Sequence, residues 1–408
     1  MASKNKPTVV VIIPTYNEAD TIGDMITHLF TKIFPTIKDY QMHLLVVDDT
    51  SPDGTYKIVK SHQKKYQNLH LLTNPKKAGI GYAYIVGFKH AMTKLKADFV
   101  FEFDGDFQHP PKMIPQMLEQ ATQGFDVVIG SRKIKGGSNP KGWGFKRIFF
   151  SEAGGFVARL ILFFPGKNFL KVTDPTTGLR LTRVKGFLDQ VDFDRFYSLE
   201  FPYKLQLLYQ LISLKPKFKE LPLQFGLREK GESKIKGSTL VDSLRTAFLT
   251  RINDPATKKF LKFAIVGFTG FVVNSLGLEF FRRSGLADSL SASFTAYAST
   301  PGLSLLANPN SWSGGLGAEL AIISNFILNN FWTFSSDRIT NPFKFLYKFL
   351  QFNLTSFGAV IIQFIAIGLA TLAFGDTTLV RQLALVLSIG FLILPYNWLM
   401  YNLVIWRK

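Results

Sequence analysis

Residues 99–111 read FVFEFDGDFQHPP, a short β-like run from Phe99 to Phe103 that stops at Asp104-Gly105-Asp106. Three other runs have the same form. Thr8 to Ile13 is rich in β-branched residues and ends at Pro14. Leu44 to Val47 ends at Asp48-Asp49, and Val127 to Ile129 closes on Gly130-Ser131-Arg132. Short apolar runs of this kind suit strands buried on both faces of a parallel sheet. Helix-length segments, Glu18 to Phe34, Gly54 to Tyr66 and Ile80 to Lys96, lie between them. The alternation predicts an α/β domain of βαβ units. In such domains ligands bind beyond the carboxyl ends of the strands, and the polar clusters fall there.

The chemistry starts with Asp104 and Asp106. Two carboxylates one small residue apart, at a strand exit, can both approach one divalent cation. Mg²⁺ takes one or two carboxylates and completes its shell with water and phosphate oxygens. Gln108 offers a third oxygen. A nucleotide diphosphate-sugar would supply the phosphates, and the cation would neutralise charge on the leaving diphosphate. A solvated turn is the plainer reading of an Asp-x-Asp. Asp48, also at a strand end, could accept hydrogen bonds from a ribose or a base edge. The stretch Asp48 to Gly54 suits a helix cap and turn equally well. Pro14-Thr15-Tyr16-Asn17-Glu18 is another strand exit, where Tyr16 could cover a nucleobase or simply pack. Arg132, Arg147, Arg180, Arg228 and Lys234 need anions; arginine offers phosphate a planar fork and lysine a point charge.

From about Phe260 the texture changes. Phe260 to Phe281 carries only Lys262 and Glu279, one near each end, while Phe352 to Phe374 and Gln382 to Trp406 carry no charge. At about 1.5 Å per residue each can cross a hydrocarbon core of roughly 30 Å. Gly317 to Ser336, with Glu319 and three asparagines, completes a predicted set of four transmembrane helices, and Pro395 should bend the last. Arg251, Lys258, Lys259, Lys262, Arg338, Lys344, Lys348, Arg407 and Lys408 outnumber the basic residues of the opposite segments. That bias puts both termini and the N-terminal domain in the cytoplasm. The polar N-terminus, without a signal peptide, agrees.

The predicted organisation is an α/β domain over 1–239, an interfacial helix or linker over 240–256 and a four-helix membrane domain over 257–408. Lys146 to Phe164 mixes three basic residues with many Phe, Leu and Ile, as a helix lying on a membrane surface would. Packing on the sheet is the alternative. Residues 284–313 read as an irregular loop. The net charge of +19 sits mainly before residue 257, where 37 basic residues face 24 acidic ones. Beside anionic headgroups each well-placed basic residue gains roughly 1 kcal/mol. No nucleic-acid motif accompanies the charge, so nucleic acid is not an expected partner. The absence of cysteine excludes disulfides, thiolate metal sites and cysteine nucleophiles.

Taken in order, PTYNE (14–18), VDDTSPDGT (47–55), KAGIGYAYIVGFKHA (77–91), EFDGDFQHPP (102–111), IGSRKIKGG (129–137), DPTTGLR (174–180) and FGLREKGESKIKG (225–237) resemble glycosyltransferase family 2. Within it they are most similar to the dolichyl-phosphate mannose synthases. The tail, through KFAIVGFTGFVVN (262–274) and ISNFILNNFWTF (323–334), resembles a family of small four-helix membrane proteins linked to lipid-carried sugars. The resemblance implies a GT-A fold and transfer of mannose from GDP-mannose to dolichyl or polyprenyl phosphate. It implies Mg²⁺ or Mn²⁺ on Asp104, Asp106 and Gln108, and the nucleoside near Pro14, Tyr16, Glu18 and Asp48. The acceptor phosphate would meet Arg132, Arg147 and Ser151, with Arg228 and Lys234 reaching the phosphates. Asp104, Asp106, Arg132 and Arg228 would be catalytic. Gly105 stands where relatives often have alanine.

A phosphate monoester, with a second pKa near about 6, is largely dianionic at neutral pH and needs no strong general base. Electrostatic pairing of the two anionic substrates is then the main task. A single, inverting displacement is expected, with Asp174 ordering the site rather than acting as base. Two other functions fit parts of the chain: the same transfer from UDP-glucose, and lipid-sugar translocation. A processive polysaccharide synthase would carry a Gln-x-x-Arg-Trp motif, which is absent.

Overall fold

The computed structural model describes residues 6–140, 142–163, 168–226, 239–297, 299–300, 309–356 and 389–405, with residues 307, 374, 379, 383 and 387. The chain divides into two compact units, Met1–Ile252 and Asn253–Lys408.

The first unit is built on a seven-stranded sheet. Its strands are β1 (Thr8–Thr15), β2 (Gln41–Asp48), β3 (Leu69–Thr73), β4 (Phe99–Glu102), β5 (Val127–Ser131), β6 (Arg180–Arg183) and β7 (Phe218–Pro222), in spatial order β3-β2-β1-β4-β6-β5-β7. The four expected runs are all strands. The sheet is not wholly parallel, because β6 runs antiparallel to both β4 and β5. Its register sets Arg180 opposite Glu102. That pairing explains why a strand reading RLTR holds a central place despite its charges.

Helices cover both faces: α1 (Ala19–His28), α2 (Thr55–Gln63), α3 (Ile80–Thr93), α4 (Met113–Thr122), α5 (Phe145–Leu162), α6 (Tyr203–Ser213) and α7 (Thr239–Asn253). The pleat of β1 divides its residues between two cores. Val9, Val11 and Ile13 pack with Ile22 and Met25 of α1 and Ile114 and Met117 of α4. Val10 and Ile12 pack with Tyr84 and Phe88 of α3 and Tyr203 and Leu207 of α6. The chain leaves β1 towards β2 and β3, then returns to place β4 on the other side of β1. This reversal opens a crevice at the carboxyl ends of β1 and β4. The layered, mixed sheet with its Asp-Gly-Asp at the end of β4 is a GT-A, Rossmann-like α/β domain.

The second unit is helical: α8 (Pro255–Arg283), α9 (Leu286–Ala292), α10 (Pro309–Leu328), α11 (residues 342–356) and α12 (Leu394–Met400). Asp254 caps α8, accepting from the amides of Ala256 and Thr257 at 2.9 and 3.3 Å, with Pro255 in the first turn. Gly277 lets α8 approach α10 closely; a Cβ there would stand 3.2 Å from Gly317 Cα. Phe263, Phe326, Phe334, Phe352 and Tyr401 form the core. Asn330 accepts from the Ile339 amide at 2.8 Å and donates to its carbonyl at 3.3 Å.

Among the described residues no helix is long and apolar enough to cross a membrane. Most of the expected span Phe352 to Phe374 lies outside the described residues, whereas Gln382 to Trp406 is described at residues 383, 387 and 389–405. Segment 284–313 is not wholly irregular, since it holds α9 and the start of α10. Around Pro395 the helix changes geometry, with π turns at Ile389–Ile393 and Tyr401–Ile405 flanking α12. A proline without an N–H disturbs the regular ladder in this way.

Candidate active site

A cavity of about 550 Å³ opens where β1 and β4 end, lined there by Pro14, Thr15 and Tyr16 and by Asp104, Gly105 and Asp106. Its size suits a small-molecule ligand. The loop after β4 is held tightly. Phe107 adopts φ 61°, in the left-handed region, and reverses the chain after Asp106. The Gln108 amide donates to Asp106 Oδ1 at 3.1 Å, while Gln108 Nε2 donates to the Gly226 carbonyl at 3.1 Å. A Cβ on Gly105 would meet Ile13 Cγ2 at 3.0 Å, so alanine there would require a small shift.

His109 fixes the first carboxylate. Its Nδ1 accepts from the Asp104 amide at 3.0 Å, so the proton resides on Nε2, which lies 3.5 Å from Asp104 Oδ2. Burial lowers the pKa of the His109 imidazole, outweighing the pull of Asp104. The ring therefore stays neutral at neutral pH and adds no charge beside Asp104. Tyr84, fully buried, donates to the Phe103 carbonyl at 3.1 Å and approaches Asp104 Oδ1 at 3.4 Å.

At the ends of β1 and β2 the structure separates two neighbouring aspartates. Asp48 is fully buried and turned inward, accepting from Thr15 Oγ1 at 2.9 Å, from Ser51 Oγ at 2.6 Å and from the Ser51 amide at 2.9 Å. It does not line the cavity. Asp49 does, braced by Asn74 Nδ2 at 2.6 Å and the Ala78 amide at 3.3 Å. Asp53 also serves the backbone, accepting from the Ala19 amide at 2.9 Å and from Thr55 Oγ1 at 2.6 Å. Tyr16 and Glu18 line the cavity, with the Lys77 ammonium 3.9 Å above the Tyr16 ring.

On the opposite wall Arg132 is gripped by Asp174. Nε and one terminal nitrogen of the guanidinium each donate to an Asp174 oxygen at 2.7 Å, and that terminal nitrogen also reaches Thr176 Oγ1 at 3.0 Å. Burial would raise the Asp174 pKa, but the hydrogen bonds and charge of Arg132 hold it below the ordinary carboxylate value. The rings of Trp143 and Phe225 lie 5.8 Å from the guanidinium. Glu220 anchors the segment before Asp174 through the Thr173 amide and hydroxyl, both at 2.8 Å.

Arg180 needs no phosphate, because Glu102 inside the sheet supplies its anion at 2.7 Å and the Tyr203 hydroxyl joins Glu102 at 2.7 Å. Ser151 lies partly buried on α5 and is not one of the residues that line the cavity. Arg147 is on the same helix, but its side chain lies outside the described residues, as do Arg228 and Lys234. Residues that sequence reasoning missed include Asp49, Lys77, His109 and Lys204. His109 stood within the quoted run and could have been found; Lys204, in an apolar helix, had no signal.

Outside the cavity, α5 presents one apolar face. Phe145, Phe149, Phe156, Leu160 and Phe163 are exposed, while Ala158 and Leu162 on the other side are buried against the sheet. Lys133, just after β5, pairs with Glu152 of this helix.

Residues 10–184 match glycosyl transferase family 2, and residues 262–406 match the GtrA/DPMS transmembrane domain. The chain is 30% identical over 360 residues to dolichol-phosphate mannosyltransferase from Pyrococcus furiosus, covering 88% of this chain and 89% of the relative. It is 33% identical over 236 residues to undecaprenyl-phosphate mannosyltransferase from Micrococcus luteus, covering 58% of this chain and 90% of the relative. Polyprenol monophosphomannose synthase from Mycolicibacterium smegmatis is 30% identical over 242 residues, covering 59% and 86%.

Proposed function

The chain is a member of glycosyltransferase family 2 that carries a GtrA/DPMS transmembrane domain, and from that premise we propose that it transfers mannose from GDP-mannose to the phosphate of a polyprenol such as dolichol. The observation that carries the reading is the Pyrococcus furiosus alignment, which runs through both units, from the carboxylate loop into the helical tail.

The donor set suits a hard divalent cation. Asp104 and Asp106 both line the cavity beside space for phosphate oxygens, and Gln108, its amide nitrogen engaged by Gly226, keeps its carbonyl oxygen available. These residues would hold Mg²⁺ or Mn²⁺, which would neutralise charge on the departing diphosphate. Pro14, Tyr16 and Glu18 would receive the nucleoside, with Asp49 at the cavity edge rather than Asp48. Arg228 and Lys234 would reach the donor phosphates.

Arg132, aimed by Asp174 and backed by two aromatic rings, would meet the acceptor phosphate, joined by Arg147 and Ser151. Preorganised cations at that point lower the repulsion between a dianionic nucleophile and an anionic donor. The acceptor needs no base at neutral pH. Both oxygens of Asp174 are already committed to Arg132, so Asp174 orients and does not take a proton. Direct attack then inverts the anomeric centre.

The tail would span the bilayer as four helices with both termini cytoplasmic. The exposed aromatic face of α5 would rest on a membrane surface, where the lipid acceptor arrives. The test uses detergent-solubilised chain, polyprenyl phosphate, Mg²⁺ or Mn²⁺, and radiolabelled GDP-mannose or UDP-glucose in parallel. Labelled lipid from GDP-mannose, lost on chelation, is expected. Labelled lipid from UDP-glucose alone would keep the chemistry and overturn the sugar.

A further inference from the structure

Lys204 is a lysine in a place built for apolar side chains. It lies on α6 between Tyr203 and Leu205, which are core residues, and is itself 2% exposed. Among the described residues its ammonium forms no ion pair or hydrogen bond, and the Phe201 ring centroid lies 4.8 Å from Nζ. A buried ammonium left in that state is costly, so a polar partner is expected to arrive from elsewhere.

The cavity is where one can arrive. Lys204 and Phe201 line it, and Gly178 separates Lys204 from the carboxylate loop. A Cβ on Gly178 would stand 2.5 Å from Lys204 Nζ, 3.3 Å from Asp104 Oδ2 and 3.0 Å from His109 Cε1. The ammonium and the Asp104 carboxylate therefore flank one point without touching, and only glycine keeps that point clear. Asp104 Oδ2 faces His109 Nε2 instead. Lys204 thus borders the space next to the carboxylates that would hold the diphosphate.

We propose that Lys204 is a specificity-determining residue that binds the sugar of the nucleotide-sugar donor through its hydroxyl oxygens. The inference rests on the nucleotide-sugar reading of this cavity. The sugar is one bond from the second phosphate, so it must lie beside the carboxylate loop. An ammonium offers three donors and no acceptor, which matches hydroxyl oxygens that no carboxylate could serve. A sugar arriving there would also supply the partner that the buried charge lacks.

The experiment compares binding of GDP and of GDP-mannose, each with Mn²⁺, to the full detergent-solubilised chain by calorimetry. In Lys204→Met, GDP affinity should match wild type, which also reports an intact fold. GDP-mannose affinity should fall about ten- to hundredfold, the loss expected for a charge-assisted hydrogen bond. Lys204→Gln, which keeps one donor, should fall between them and serves if the methionine variant does not fold. Equal weakening of both ligands would assign Lys204 to the diphosphate and overturn the proposal, as would no change in either. A wild type that binds GDP-mannose no better than GDP would also overturn it. A wild type that binds neither would overturn the donor assignment beneath it.

Discussion

Both carboxylate oxygens of Asp174 accept from the guanidinium of Arg132 at 2.7 Å, and both side chains are almost fully buried. A fork held on two points cannot rotate, so the remaining guanidinium edge has one direction in which to meet an anion. On the proposed reading the pair would aim a charge and move no proton, since both Asp174 oxygens are committed to Arg132.

Asp174→Asn keeps the shape and loses one arm of the grip. Turnover with the acceptor should fall about a hundredfold, the usual result of a misplaced catalytic group. The residual activity should follow pH in parallel with wild type. A steep rise with pH in kcat/KM would instead identify Asp174 as the general base.

The same aspartate sets a pH dependence of stability. Its folded pKa lies below the ordinary 3.8, so its ionised form is bound more tightly in the folded state. That contribution is complete above about pH 5 and is lost as pH falls through 3.8 towards the lowered folded value. Denaturation midpoints of wild type and Asp174→Asn should therefore differ at neutral pH and converge as the pH falls below 3.8.

Glu102, Arg180 and Tyr203 form a buried set inside the sheet. Arg180→Met alone should cost about 3–5 kcal/mol, because it strands a buried carboxylate. Glu102→Leu combined with Arg180→Met should cost less than the single change. Thermal unfolding of the three proteins decides it; a double variant no better than the single would show that the pair is not the source of the loss.

Asp106→Ala should abolish labelled-lipid formation and leave a protein on which chelators have no further effect. Wild type should lose activity with a chelator and regain it with Mg²⁺ or Mn²⁺. A chain whose task is translocation would tolerate the substitution, so undiminished function in Asp106→Ala would argue for that role.

Phe156 and Leu160 are more than half exposed on α5. Replacing both by serine should lower activity towards long-chain polyprenyl phosphate in vesicles by about a hundredfold or more, since burying each such side chain is worth about 1.5–3 kcal/mol. Activity towards a short, soluble acceptor phosphate should be unchanged. A parallel loss on both acceptors would place these residues in catalysis or folding instead.

Much of the α/β fold was legible in order along the chain. The runs at Thr8, Leu44, Phe99 and Val127 are strands because apolar side chains on both faces can be buried only between two layers. The carboxylate loop was legible too, since a strand ending in Asp-Gly-Asp states its chemistry locally. β6 was not, because its central Arg180 is tolerable only opposite Glu102, a partner 78 residues away. Asp48 and Asp49 are chemically identical in the sequence, but neighbours at a strand end point in opposite directions, and the fold turned Asp48 inward and Asp49 to the cavity. Asp174 reaches Arg132, and Lys204 the space beside Asp104, only once distant segments are packed together. The sequence by itself determined the strands, the exits that bear carboxylates and the change from a polar to an apolar chain, because local pattern suffices for these. Tertiary structure alone decided which charges pair within the protein and which remain for a ligand, because that depends on distances no local pattern contains.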